Sequence, residues 1–126
     1  MALMGSHFRD GIFIVRAESN FTAHDAETIM NELGQRVQQF GSPVVMLVDL
    51  GRASRMVPAA QISFADAARS RQISTMIFVA KHETMIQSVR TMAAMTDRGR
   101  IHCFGSMGEA RLFAQVCAHN AQYATA

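Results

Sequence analysis

The stretch Val44-Val45-Met46-Leu47-Val48, followed by Asp49-Leu50-Gly51, decides the fold. Its first five residues are all apolar and three of them are β-branched, with Pro43 before and Gly51 after. A run this short cannot sustain a helix by itself, and it lacks the apolar–polar alternation of a strand with one wet face. It therefore predicts a strand covered on both faces, as in a parallel sheet held between helices. Met76-Ile77-Phe78-Val79, inside the segment from Ser74 to Ala80, repeats the signature. Both strands are expected at the centre of the sheet and parallel to each other.

Helical patterns flank these strands. Pro58 can open a helix whose apolar residues include Ile62, Phe64, Ala65 and Ala68. Ahead of the Val44 strand, Phe21-Thr22-x-x-Asp25 reads as a capped helix start. Thr22 can accept the amide three residues on, Asp25 suits the positive helix end, and Phe21 holds the staple position. Ala26, Ile29, Met30, Leu33, Val37 and Phe40 follow at helical spacing, until Gly41 and Pro43 stop the helix. Asp10-Gly11 marks a hairpin turn between the segments Ala2 to Phe8 and Ile12 to Ala17.

Beyond the second buried strand, a helix from Glu83 sets Ile86, Val89, Met92, Ala93 and Thr96 on one face and ends by Gly99. Arg100 to Phe104 is a short strand. Ser106-x-x-Glu109 is a capping box that opens a last helix, expected to bury Ala110, Leu112, Phe113, Val116 and Cys117. The tail, 120–126, carries little pattern and is expected to fray.

The order is β-β-α-β-α-β-α-β-α, an α/β fold with a mixed, mostly parallel sheet of about five strands and about four helices. Residues 1–10 supply the first hairpin strand and its turn, adding one antiparallel strand. The whole chain, 1–126, fits a single domain.

Composition narrows the function classes. A hydrophobic fraction of 49% against 17% charged leaves apolar surface to be hidden in a partner or a second copy. The net charge is +2, and every basic residue but Lys81 is arginine. These arginines are interspersed with Asp and Glu, so no basic stripe points to nucleic acid. No apolar run approaches the roughly 18–20 residues of a membrane span. Met-Ala-Leu-Met-Gly-Ser-His lacks the features of a secretory signal, so the expected compartment is the cytoplasm. Cys103 and Cys117 are then free thiols, expected as packing residues.

Three features together resemble the STAS-like superfamily, which includes bacterial anti-sigma-factor antagonists and is similar in fold to CRAL-TRIO lipid-binding domains. They are the element order, the strand ending Val48-Asp49-Leu50, and the ending Phe104-Gly105-Ser106-x-x-Glu109-Ala110-Arg111-x-Phe113. The resemblance implies a partner-binding domain. In the antagonists a phosphorylatable Asp-Ser-Ser/Thr-Gly segment starts the helix after this strand. Here that segment falls on Val57-Pro58-Ala59-Ala60, so Ala59 offers no hydroxyl to a kinase, and Ser54 lies several residues early.

No catalytic set stands out. His7, His24, His82, His102 and His119 show no metal-ligand spacing, so neither a metal nor a cofactor is expected. His102 and Cys103, adjacent in a strand, point to opposite faces. Asp49 ends a buried parallel strand, where open α/β sheets place ligands, although an Asp there also suits the amides of the following loop. The segment from Gly51 to Val57 reads as a loop in which Arg52, Ser54 and Arg55 could hold an anion with the amino end of the Pro58 helix. Among the ten methionines, Met46, Met76 and Met92 suit the core. Met56 and Met95 fit it poorly and, with Val57, are candidates for an interface.

The expectation is a non-enzymatic regulatory or protein-interaction module of a bacterial cytoplasm, pairing as a homodimer and binding a protein partner. The alternative is a domain for a small apolar or anionic, lipid-like ligand, with a cavity lined by Met and Phe.

Overall fold

A computed structural model of the chain describes residues 3–41, 43–96 and 100–124, with the backbone alone at 3–7, 18–21, 23, 54 and 122–124. The elements are β1 (Leu3–Arg9), β2 (Ile12–Phe21), α1 (Ala23–Phe40), β3 (Val44–Met56), α2 (Pro58–Ala68), β4 (Ile73–Val79), α3 (Glu83–Ala94), β5 (Ile101–Phe104) and α4 (Met107–Ala124). They form the expected α/β architecture, one five-stranded sheet in the order β1-β2-β3-β4-β5.

β1 is antiparallel to β2 and every other neighbouring pair is parallel. Each parallel step is bridged by one helix, which is what a parallel pair requires. The hairpin turns at Asp10 and Gly11, with φ of 53° and 80°. Positive φ at both central residues is the pattern of the type I′ turn, whose twist matches that of the flanking strands.

β3 and β4 are internal strands, with Met46 opposite Met76 and Val48 opposite Phe78. Their unbroken apolar runs follow from the layers on either side. Val44, Met46, Val48 and Leu50 pack with Ile29, Leu33, Phe64 and Met92 of α1, α2 and α3. Val45 and Leu47, with Ile77 and Val79, face Ala110, Ala114 and Ala118 of α4. Two buried faces leave no position in the runs Val44–Val48 and Met76–Val79 for a polar residue. On the first face Phe64 and Phe78 meet edge to face, their centroids 5.5 Å apart.

The cap on α1 forms as expected. Thr22 Oγ1 accepts from the Asp25 amide at 3.2 Å, and Asp25 Oδ2 accepts from the Thr22 amide at 3.0 Å. Gly41 closes the helix in the left-handed conformation. Ser106 Oγ likewise accepts from the Glu109 amide at 3.2 Å at the start of α4. Phe21, expected as the staple, has a side chain outside the described residues, as do Gly99 and Ala2 altogether.

Several expected core residues lie elsewhere. Ile62 is 53% exposed, because α2 buries Ala60, Phe64, Ala67 and Ala68 and turns Ile62 away. Leu112 and Val116 are 67% and 58% exposed. α4 has two apolar stripes, and its alanine stripe takes the sheet because small side chains allow the helix to approach Leu47 and Ile77 closely. Thr96 lies past the end of α3. Cys103 is exposed instead of packed, since β5 is the edge strand, and Cys117 is half-buried. The backbone of α4 runs helical to Ala124, past the Asn120 where its apolar pattern stops. None of the described helices is long and apolar enough to cross a membrane.

Candidate functional site

The segment from Gly51 to Met56 is the carboxyl half of β3, not a loop. It pairs only with β2 beyond Asp49, the last β3 residue opposite β4. Glu18 stands opposite Arg52, Ser19 opposite Ala53, Asn20 opposite Arg55 and Phe21 opposite Met56. The pairing shifts twice, and each shift places one extra β3 residue against β2. Bulges of this kind turn the strand and re-aim its side chains. They resolve a sequence conflict: Leu50, Ala53 and Met56 recur every third residue, which a regular strand would send to alternating faces. With the two bulges, all three enter the core under α1 and α2.

Met56 is therefore a core residue, 4% exposed, and this corrects its reading as a surface methionine. Arg52 and Arg55, next to Ala53 and Met56, are exposed. The backbone of Ser54 belongs to β3, and its side chain lies outside the described residues. Val57 is half-buried and serves as N-cap of α2 without a side-chain bond, while Pro58 and Ala59 face solvent. Gln61 of α2 donates to Ser88 Oγ of α3 at 3.2 Å, fixing the two helices side by side. Met95, at the end of α3, is 36% exposed.

Asp49 is largely enclosed and already engaged. Its Oδ1 accepts the Gly51 amide at 2.9 Å, and its Oδ2 lies 3.6 Å from Arg16 Nε. A methyl group at Gly51 would come within 3.1 Å of Asp49 Oδ1 and 3.9 Å of Lys81 Cε. The carboxylate thus pins the start of the β3 bulge, beside Arg16 of β2. Sequence reasoning selected Asp49 and could not see Arg16, which only strand register brings to it.

On the α4 side of the sheet, an open cleft of about 770 Å³ lies between α4 and the β1–β2 hairpin. Ile12, Ile14 and Leu47 form its floor, Ala114 and Ala118 its helix wall, and Arg9, Arg111 and His119 stand around it. It contains Phe40 but no methionine, so it is not the Met- and Phe-lined cavity expected of a lipid-like site. Five elements, β1, β2, α1, β3 and α4, contribute to it, and no local spacing signals it.

Neither thiol is activated. Although Cys103 as a residue is exposed, partial enclosure of its sulfur pushes the thiol upward in spite of the nearby Arg90 charge and a hydrogen bond with the Ala80 backbone. Burial likewise raises Cys117, partly offset by a bond with the Thr75 side chain. A raised thiol holds less thiolate, the nucleophilic form. His102 packs on Phe113 at 4.7 Å, on the α4 side of β5. Among the described residues no group of three His, Cys, Asp or Glu could hold a metal ion.

No protein-family model and no curated protein matches the chain. Solved structures do. The SpoIIAA anti-sigma factor antagonist in its unphosphorylated form matches with TM-score 0.64 and 12% identity, over 89% of this chain and 96% of that one. The chain has the STAS-like fold. An anti-sigma factor antagonist from Mycobacterium paratuberculosis gives 0.64 and 12%, over 88% and 92%. An uncharacterized DUF3478-family protein with a SpoIIAA-like fold, from Shewanella loihica PV-4, gives 0.63 and 15%, over 90% and 92%. Within this STAS-like frame, Val57-Pro58-Ala59-Ala60 forms the N-cap and first turn of α2, with Ala59 at the surface.

Proposed function

We propose that this STAS-like chain is a non-enzymatic regulatory module of a bacterial cytoplasm, acting by binding a protein partner at the junction of β3 and α2. The observation that carries the reading is Ile62, a large apolar side chain 53% exposed one turn into α2. Pro58 and Ala59 of the same helix are exposed, and so are Arg52 and Arg55 near the end of β3. Exposed apolar side chains with arginine nearby in the chain are the composition of a protein-binding surface. The partner would present an acidic surface around an apolar pocket. Likeness to two anti-sigma factor antagonists over nearly the whole chain supports this class of activity. Ala59 offers no hydroxyl, so partner binding here would not be switched by phosphorylation at that position.

A photo-crosslinking residue at 59 or 62, used in cells, tests the reading. It should trap one discrete protein, and Arg52→Glu with Arg55→Glu should abolish the adduct. The same probe at Gln38, exposed on α1, should trap nothing. Equal adducts from all three positions, or none, would remove this surface from consideration.

A further inference from the structure

The two faces of the sheet are covered unequally. α1, α2 and α3 pack on one face, and among the described residues α4 alone packs on the other. Five strands about 4.8 Å apart span about 19 Å, and one helix is roughly 10 Å across. The alanine stripe seats α4 over Leu47 and Ile77 of β3 and β4, so the part of this face beside the hairpin has no helix over it. There Ile12, Ile14 and Leu47 floor the open cleft of about 770 Å³. That volume lies within the roughly 300–1,000 Å³ of small-molecule sites.

Charge is distributed unequally along the cleft as well. α4 leaves the carboxyl end of β5 and runs back toward the amino ends of the parallel strands. Arg111 therefore stands at one end of the cleft, and His119, about 12 Å further along the helix, stands at the hairpin end. At the hairpin end Arg9 Nε lies 3.5 Å from Asp10 Oδ2, and these two charges offset one another. His119 already has a contact within the chain and is not part of the anion site. Arg111 is exposed and has no ion pair among the described residues. Two arginines against one aspartate leave one positive charge unbalanced, that of Arg111.

A guanidinium presents a planar fork that matches a carboxylate, and the floor beside it offers apolar surface to the rest of a ligand. We propose that this cleft binds a small organic monocarboxylate, with the carboxylate on Arg111 and the apolar body on the floor between α4 and β2. The site lies on the face of the sheet opposite α2, so it and the partner surface at the junction of β3 and α2 can each fail without the other.

Phenylbutyrate carries this chemistry and serves as the probe. Amide chemical shifts of the nitrogen-15 labelled chain, followed from about 0.05 to 10 mM ligand, cover weak affinities. Wild type should saturate with Kd below about 1 mM, and the amides of Ile12, Ile14 and Ala118 should move. Phenylbutanol and phenylbutylamine, with the same body and no negative charge, should bind at least about fivefold more weakly. Arg111→Gln should weaken phenylbutyrate by the same factor and leave phenylbutanol unchanged. Arg36→Gln, on α1 across the sheet, should alter neither. Both arginines are exposed, so each variant should melt like wild type. The absence of saturable shifts at 10 mM overturns the proposal. So do shifts centred away from the cleft, an alcohol that binds as tightly as the acid, or an Arg111→Gln variant of unchanged affinity. An equal loss in Arg36→Gln would reduce the effect to net charge and overturn it too.

Discussion

Asp49 Oδ1 accepts the backbone amide of Gly51 at 2.9 Å, so the carboxylate at the end of the buried run closes the first turn of its own bulge. The same geometry crowds Gly51, whose Cβ would sit 3.1 Å from that oxygen and oblige the carboxylate to shift by a few tenths of an ångström. The bond makes Asp49 a local clamp.

Asp49→Ala should destabilise the fold by about 1–2 kcal/mol, the cost of leaving a poorly solvated amide without its acceptor. Asp49→Asn keeps an acceptor oxygen and should recover about half. Arg16→Gln should cost under about 0.5 kcal/mol, because an exposed arginine at 3.6 Å makes a weak pair. Urea melts of the three variants decide the order. Equal losses for Asp49→Ala and Arg16→Gln would make the ion pair the dominant contact.

Met56 and Met95 should respond in opposite ways. Met56→Ala removes a side chain from the core and should cost about 2–4 kcal/mol. Met95→Glu, at an exposed helix end, should stay within about 0.5 kcal/mol. Denaturation midpoints check both. A large loss at Met95 would show a contact that the exposed position does not suggest.

The thiols should alkylate slowly near neutral pH. Burial raises both Cys103 and Cys117 above the ordinary 9.0. Iodoacetamide consumes thiolate, so the rate in the native chain should still climb beyond pH 9 and stay below that in urea. Mass spectrometry after timed labelling follows each cysteine. A native rate that levels off below about pH 8 would require an activated thiol instead. The linked effect on stability has a definite sign: the unfolded chain ionises first, so folding stability falls as pH rises past the ordinary thiol value.

Ala59→Glu places a carboxylate in the first turn of α2, which carries no acidic residue. It should raise stability by about 0.3–1 kcal/mol through the positive helix end. The same change should abolish the crosslink from residue 62, because the added charge repels an acidic partner. A crosslink that persists at full yield would place the partner's acidic surface away from α2.

How far sequence reaches here depends on how local the deciding interaction is. Runs without alternation at Val44–Val48 and Met76–Val79 are sufficient for internal parallel strands, because only a strand covered on both faces excludes polar residues. Asp10-Gly11, Thr22 with Asp25, and Ser106 with Glu109 are equally legible, since turns and caps are set within four residues. Those signals determined the element order, the mixed sheet and its STAS-like topology. The tertiary structure decided the rest. Leu50, Ala53 and Met56 share the core only because β3 takes two extra residues against β2, and a bulge is a property of the pair. Asp49 meets Arg16 through strand register. α4 offered two apolar stripes of similar length, and the sheet accepted the alanines because they allow the closer approach, leaving Leu112 and Val116 outside. Spacing along a helix says which residues share a face, but only the neighbouring layer chooses the face that is buried.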